Sequence, residues 1–256
     1  MAAPFAQACM YGRPVHVYPI VAAAVWGTVS GYLFPRAAHR LAVPPGEPRS
    51  ATCLFGHPLP PGPRGWLGTE RCARCGTAGW RHRREMLPAI GCALLCAALA
   101  AATGPHPELV VWLLLVPVAL TLARVDLRVF RLPDVLTLPA FALTATLLGG
   151  AALLPAHQGS WTRALLAAAA VGALYSLLFL VNPAGMGLGD VKLAPTAALA
   201  LGWYGWGTVI TGTFAAFALG AVVGLALLLT GRATRKSPMP FGPFILTGCA
   251  VALLLA

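Results

Sequence analysis

Eight long apolar stretches determine the fold class of this sequence. They cover approximately residues 15–35, 87–103, 108–123, 134–154, 161–181, 190–203, 206–230 and 241–256. A helix that crosses a bilayer needs about 20 mostly apolar residues, so each stretch is a candidate span. With 58% hydrophobic residues, only 10% charged residues and a mean hydropathy of +0.77, an ordinary soluble domain is excluded. We therefore predict an all-α, polytopic helix bundle with about eight transmembrane helices, embedded in a lipid bilayer.

The positions of the basic residues predict the orientation of these helices. If the chain starts outside and alternates, 16 of the 18 Lys and Arg residues fall in inner connections, and only Arg13 and Arg163 fall outside. The positive-inside rule then places the basic connections in the cytoplasm and the protein in the plasma membrane. Because Arg36 and Arg40 follow the first stretch, we expect a retained span rather than a signal peptide. The net charge of +11 thus reflects topology, and no nucleic-acid partner is expected.

The connection 36–86 is the only one long enough for a subdomain outside the membrane. It is rich in Pro and Arg, and it has too few aliphatic residues to fold without a cross-link. One possible cross-link is zinc, held by the thiolates of Cys53, Cys72 and Cys75 with the imidazole of His57. The alternative is a degenerate, reduced loop, since a second Cys-x-x-Cys pair is incomplete and disulfides are not expected in the cytoplasm.

Three of the seven acidic residues lie at membrane boundaries: Asp126, Asp134 and Asp190. Ionisable residues near membrane depth are costly and usually mark function. Two predicted spans separate Asp126 from Asp190, so both carboxylates return to the same side and are able to meet. The alternative for these two residues is a pair of boundary carboxylates that neutralise nearby cations such as Lys192.

The residues around these acids have separate expected roles. Gly187 and Gly189 precede Asp190 and allow a neighbouring helix or an extended substrate to approach closely. Pro133 favours a helix start, and Asp134 is expected to support that helix end, so its role is structural. Lys192, two residues beyond Asp190, is expected to bind substrate or support the site.

Two carboxylates held close together have a defined chemistry. Both cannot ionise cheaply, so one keeps a proton. The ionised carboxylate acts as general base on a water molecule, and the protonated one stabilises the tetrahedral intermediate at a peptide carbonyl. Such a pair hydrolyses an extended peptide without a metal or cofactor.

These residues resemble the type IV prepilin leader peptidases, membrane aspartyl proteases of the GxGD class. In that family one catalytic aspartate precedes a Pro-Asp pair, as Asp126 does, and the other ends the Gly-x-Gly-Asp motif, as Asp190 does. The segment from Arg235 to Phe244, with its Pro-Phe-Gly-Pro sequence, is also similar. The resemblance covers nearly the whole chain and is most specific from 120 to 245.

The resemblance implies an aspartic endopeptidase that removes basic leaders from prepilin-like or pseudopilin-like precursors at the cytoplasmic face. It divides the chain into a first transmembrane segment (1–35), a cytoplasmic loop with a degenerate Cys motif (36–86) and a transmembrane aspartyl peptidase domain (87–256). Two rival functions remain. One is a small ion-coupled transporter, which requires acids or broken helices near the bilayer midplane, and the other is a noncatalytic assembly scaffold.

Many family members also methylate the new N-terminus with S-adenosylmethionine. Here the family's Gly-Ser-Phe-Leu-Asn is replaced by Gly-Tyr-Leu-Phe-Pro at 31–35, and one of four zinc cysteines is missing. We therefore expect peptidase activity alone, with S-adenosylmethionine bound only if methylation is retained.

Overall fold

The computed structural model contains nine α-helices in the part of the chain that it describes. The described residues are 17–44, 46–53, 55–69, 72, 74–75, 80–183, 185–234 and 237–256. Four of the residues in the predicted charge distribution lie outside them: Arg13, Arg71, Arg235 and Lys236. The helices are α1 (Val17–Leu33), α2 (Pro35–Leu41), α3 (Trp80–Thr103), α4 (Glu108–Val129), α5 (Asp134–Ala151), α6 (Trp161–Val181), α7 (Leu188–Tyr204), α8 (Trp206–Leu229) and α9 (Gly242–Leu254).

Five of these helices are long and apolar enough to cross a membrane: α3, from Met86 onwards, α4, α5, α6 and α8. Helices α1 and α2, bent by 40° relative to each other, make a sixth if they form one span. Helix α7 has 17 residues and α9 has 13, fewer than the roughly 20 that a perpendicular crossing needs. The all-α, polytopic membrane bundle is therefore confirmed, with five or six helices of the described residues long and apolar enough to cross a membrane.

The end of α4 differs from its sequence prediction in a way that matters for the site. The apolar pattern fades at residue 123, but the helix continues to Val129 and includes Asp126 in its last turn. It stops at Phe130, which adopts a left-handed conformation (φ 52°, ψ 40°) and donates its N–H to the carbonyl of Asp126 over 2.8 Å. Only residues 130–133 therefore connect α4 to α5.

Small residues allow the helices to pack closely. A Cβ atom on Gly27 of α1 would lie 2.6 Å from the carbonyl oxygen of Cys92 in α3, and one on Gly31 would lie 2.7 Å from the Cα of Ala89. Gly248 packs in the same way, since a Cβ there would lie 2.5 Å from the carbonyl oxygen of Gly212. Without side chains at these positions the backbones come into direct contact, as is common between membrane helices.

Helix α7 occupies the centre of the bundle and positions the site. It packs against α5, α6, α8 and α9, and most of its residues from Leu193 to Trp203 are buried. The C-terminal end of α4 and the N-terminal end of α7 lie at the same end of the bundle, because α5 and α6 run between them in opposite directions. This end carries two buried aspartates.

The opposite end contains a third buried acid, which the sequence places at an outer turn. Glu108 is the first residue of α4 and is completely buried. Its Oε1 accepts a hydrogen bond of 3.1 Å from the N–H of Gln158, whereas its Oε2 has no hydrogen-bond partner among the described residues. The position of Glu108 in the sequence therefore did not predict that its carboxylate is buried.

Candidate active site

Asp126 is held in a buried position at the end of α4. Its side chain is 4% exposed, and its Oδ2 accepts a 3.0 Å hydrogen bond from the backbone N–H of Gly242. Gly242 is the first residue of α9, so its N–H is one of the groups that have no partner within their own helix. The N-terminal end of a helix also carries partial positive charge, which attracts a carboxylate. The start of α9 therefore orients Asp126.

Asp190 lies in the first turn of α7 and is 6% exposed. The turn is started by Gly187, which has an extended backbone and whose carbonyl accepts the N–H of Asp190 over 3.0 Å. A Cβ on Gly187 would lie 3.1 Å from Asp190 Oδ2, and a Cβ on Gly189 would lie 2.8 Å from the Cβ of Leu132. Both glycines of the motif thus give room to the carboxylate and its neighbour.

Leu132 connects the surroundings of the two aspartates. Its Cδ1 lies 3.3 Å from the position of a Cβ on Gly189 and 3.4 Å from the position of a Cβ on Gly242. The two carboxyl groups are close enough to interact electrostatically. The structure therefore brings Asp126 and Asp190 into one region, as expected from the two spans between them.

Lys192, the cation that the alternative interpretation pairs with Asp190, forms its ion pair with another residue. Lys192 Nζ lies 2.7 and 2.8 Å from the two carboxylate oxygens of Asp134, and both side chains are partly exposed. Pro133 is the residue that precedes α5, and Asp134 lies in the first turn. The structural role expected for Pro133 and Asp134 is consistent with this geometry, and Lys192 joins them by linking α5 to α7.

Two further residues, Gly242 and Tyr175, contribute to the site in ways that the sequence did not predict. Gly242 donates through its backbone, which has no sequence signature other than the Pro-Phe-Gly-Pro segment around it. Tyr175 of α6 is 2% exposed and interacts electrostatically with Asp190. A row of aromatic contacts continues from Tyr175 to Phe217 (5.6 Å between ring centroids) and from Phe217 to Phe241 (5.1 Å). This row fixes the start of α9 against α6 and α8.

A second group of reactive side chains lies in the loop between α2 and α3. The ligand atoms of Cys53, His57, Cys72 and Cys75 all lie within 4.8 Å of one another. Cys53 is buried, and the other three are partly exposed. These are the residues from which the sequence predicts a metal site, and they are the group in the described part of the chain that has the geometry to hold one.

The thiols of this group have shifted pKa values. Burial alone would raise the pKa of Cys53, but hydrogen bonds from the backbone of Phe55 and His57 lower it to about 6. Burial, together with hydrogen bonds to Cys53 and Cys72, raises the pKa of Cys75 to about 12. The pKa values of the two thiols are therefore shifted in opposite directions.

Comparison with known proteins extends these observations to the whole bundle. Residues 113–228 match the model of the type IV leader peptidase family, a range that includes both Asp126 and Asp190. Helix α9, which contains Gly242, lies beyond the matched range.

Individual relatives match over larger parts of the chain. A prepilin leader peptidase/N-methyltransferase from Burkholderia pseudomallei (strain 1026b) is 32% identical over 227 residues, covering 80% of this chain and 67% of the relative. Proteins of the same description from Aeromonas hydrophila and Bacillus subtilis (strain 168) are 35% and 29% identical, and the chain covers 55% and 70% of their lengths. No solved structure matches the chain significantly.

Proposed function

Because the chain belongs to the type IV leader peptidase family, and is therefore a membrane peptidase, we propose that Asp126 and Asp190 are its catalytic pair. The substrate is a prepilin-like or pseudopilin-like precursor, and the bond cleaved joins its basic leader to the hydrophobic segment that follows. The observation that carries this proposal is the convergence of two buried carboxyl groups, 64 residues apart in sequence, at one end of the bundle. Neither the transporter nor the scaffold has a comparable observation in its favour.

The hydrogen bond from Gly242 favours the ionised form of Asp126. A carboxylate that accepts a backbone N–H at the start of a helix is stabilised in its ionised form, so Asp126 is the base. Asp190 also lies at a helix start, in the first turn of α7, and accepts a backbone hydrogen bond from Gly187. The negative charge of ionised Asp126 nearby favours the protonated form of Asp190, which we therefore assign the shared proton.

In the first step Asp126 removes a proton from a water molecule, whose oxygen forms a bond to the carbonyl carbon of the scissile peptide. Asp190 donates a hydrogen bond to the carbonyl oxygen as negative charge develops there. In the second step the tetrahedral intermediate collapses, the C–N bond breaks, and the proton held by Asp126 passes to the leaving amine. The carboxyl pair then returns to its starting state without a metal or a cofactor.

The surroundings of the pair suit an extended, positively charged substrate. Gly187 is exposed, and its extended backbone gives a peptide access beside Asp190. The space at Gly189 is filled by Leu132 instead. Asp134 neutralises Lys192, which reduces the positive charge that a basic leader would meet. The two aspartates and the basic connections belong on the cytoplasmic side of the plasma membrane by the positive-inside rule.

Methylation of the cleaved product is not part of the proposed activity. The segment 31–35, where the sequence departs from the family's pattern, forms the bend between α1 and α2, with Gly31 packed on α3. S-adenosylmethionine is accordingly not expected as a cofactor.

The proposal is tested by coexpression with a precursor that has a basic leader and by following the shortened product on a gel. Asp126→Asn and Asp190→Asn keep the size of the side chain but remove its acid–base function, and each is expected to lower processing by about 100-fold or more. Glu47→Gln, in the exposed loop, is the matched control and should cleave like the unmodified chain. Cleavage at the unmodified rate in either aspartate variant would refute the pair. Mass spectrometry of the product is expected to show an N-terminus without an added methyl group.

A further inference from the structure

An apolar groove leads from the candidate active site along the inside of the helix bundle, and the proposed hydrolysis does not use it. Its walls come from α3, α4, α5, α7 and α9. We propose that this groove binds the apolar segment of the precursor, the part that follows the cleaved bond. The inference rests on the proposed function, because it concerns the same substrate, but it assigns a separate set of side chains.

The groove begins one helical turn from the residues of the site. Side chains three or four positions apart lie on the same face of an α-helix. On α4 the last residue of the groove wall is Leu122, four positions before Asp126, and on α7 the first is Leu193, three positions after Asp190. Helix α9 repeats the pattern, because its first wall residue, Leu246, lies one turn after the amide that binds Asp126. Three helix faces therefore continue from the groove into the site.

The length and direction of the groove suit a segment that enters a membrane. Its wall on α4 extends from Trp112 to Leu122, about 15 Å at 1.5 Å per residue, which is half of the hydrocarbon core of a bilayer. From the aspartates it leads toward the end of the bundle that contains Glu108. A precursor with its basic leader beside the aspartates and its apolar segment crossing toward the opposite side has the same direction.

The groove wall is apolar, and its described residues include no charged side chain. Val118 and Ala119 of α4 and Leu246 and Ala250 of α9 are only half-buried, so the groove is open along its rim. The enclosed space is about 80 Å³, less than the roughly 150 Å³ that holds a benzene-sized molecule. It therefore accepts single aliphatic side chains of a segment that packs over the rim, and not a whole helix.

One polar group in the wall favours a peptide over a lipid chain as the occupant. Thr196 of α7 is 6% exposed, and its Oγ1 has no hydrogen-bond partner among the described residues. Thr121 and Thr144, which are also buried, each donate to the carbonyl four residues earlier in their own helix. A buried hydroxyl without a partner is costly. A peptide backbone supplies the missing partner, and an acyl chain does not.

The position of Thr196 predicts which part of the substrate it contacts. It lies six residues after Asp190, which corresponds to about 9 Å along the helix. An extended chain covers this distance in about three residues. The hydroxyl is therefore expected to hydrogen-bond the substrate backbone about three residues beyond the cleaved bond, inside the apolar segment.

The first test compares two substrates of the full chain in detergent: the whole precursor and a peptide that contains the leader and ends two residues after the cleaved bond. The measured quantity is kcat/KM for the precursor divided by kcat/KM for the peptide. Ala119→Leu and Ala250→Leu fill the groove and should each lower this ratio about 10-fold. Thr196→Val, which removes only the hydroxyl, should lower it about threefold.

The matched control for the two leucine variants is Ala170→Leu, which makes the same change on an exposed face of α6. It should keep the ratio of the unmodified chain. A variant that is merely less stable loses activity toward both substrates and leaves the ratio as it was. A ratio that stays unchanged in Ala119→Leu and Ala250→Leu would overturn the inference.

A second test uses Cys249, a partly exposed residue of the groove wall. Single cysteines are placed along the precursor, and the precursor is oxidised mildly together with the Asp190→Asn chain. Disulfide cross-links should form from positions in the apolar segment and not from the leader, and additional replacement Cys249→Ser should abolish them. If a lipid chain fills the groove, no cross-link depends on Cys249, and the inference fails. Docking is detected here without cleavage, so this result is separate from the test of the catalytic pair.

Discussion

Gly242 has no room for a side chain beside Asp126. A methyl group there would lie 2.8 Å from Asp126 Oδ2 and 3.4 Å from Leu132 Cδ1. Gly242→Ala is therefore expected to displace the carboxylate and to lower the processing rate at least 10-fold, with the protein still folded. Processing of a saturating precursor by purified protein measures this effect.

The matched control is Gly207→Ala, because a Cβ at that position has no atom within 4 Å. It should process precursor at the unmodified rate. Equal rates for the two alanine variants would show that a methyl group at position 242 does not displace the Asp126 carboxylate.

At the scale of single residues, the sequence predicts the acidic residues of the site better than the residues that hold them in place. Asp126 and Asp190 are recognisable because acids at membrane boundaries are rare in so apolar a chain and because two intervening spans return the second to the side of the first. Gly242 acts through a backbone N–H across 116 positions, and neither charge nor periodicity marks such a contact. For Lys192 the sequence suggests the wrong partner. Its position two residues after Asp190 suggests an ion pair with Asp190, whereas in the structure Lys192 pairs with Asp134.

At the level of secondary-structure elements, the contribution to stability of the ion pair between Asp134 of α5 and Lys192 of α7 can be measured. Its side chains are 56% and 38% exposed, so Lys192→Gln is expected to lower the free energy of unfolding by no more than about 1 kcal/mol. Lys192→Glu places two carboxylates together and should destabilise the protein more. Thermal unfolding in detergent at low and high salt measures both effects.

The double variant Asp134→Lys with Lys192→Glu serves as the control for this pair. It should recover part of the loss, though not all, because a lysine in the first turn of α5 opposes the helix dipole. If salt changes the unfolding temperatures of all variants equally, the pair does not contribute through its charges.

The apolar stretches predict the existence of the membrane helices well and their ends less well. Each of the eight stretches corresponds to a helix. The last two turns of α4 contain Arg124, Asp126 and Arg128, and such a charged segment looks like a connection although it remains helical. The number of crossings stays a prediction, because hydropathy does not distinguish a full span from shorter helices such as α7 and α9.

At the scale of the whole molecule, the positive-inside rule gives a topology that reporter insertion tests. Alkaline phosphatase, which is active only outside the cytoplasm, is inserted after Arg131 in one chain and after Ala156 in another. We expect activity only for the insertion after Ala156, since α5 separates the two positions and the basic residues hold the first one inside. Phosphatase activity only for the insertion after Arg131 would place the aspartates on the outer side. Membranes with the protein lacking an inserted phosphatase give the background activity.

The contact between Gly242 and Asp126 also has a consequence for biosynthesis. Membrane helices enter the bilayer in the order in which the ribosome makes them, and both aspartates are inserted before α9 exists. Until α9 arrives, Asp126 lacks its amide donor and the two acidic side chains lack their common enclosure. If the two aspartates are the catalytic pair, we expect a nascent chain to become active only after α9 has packed against Asp126.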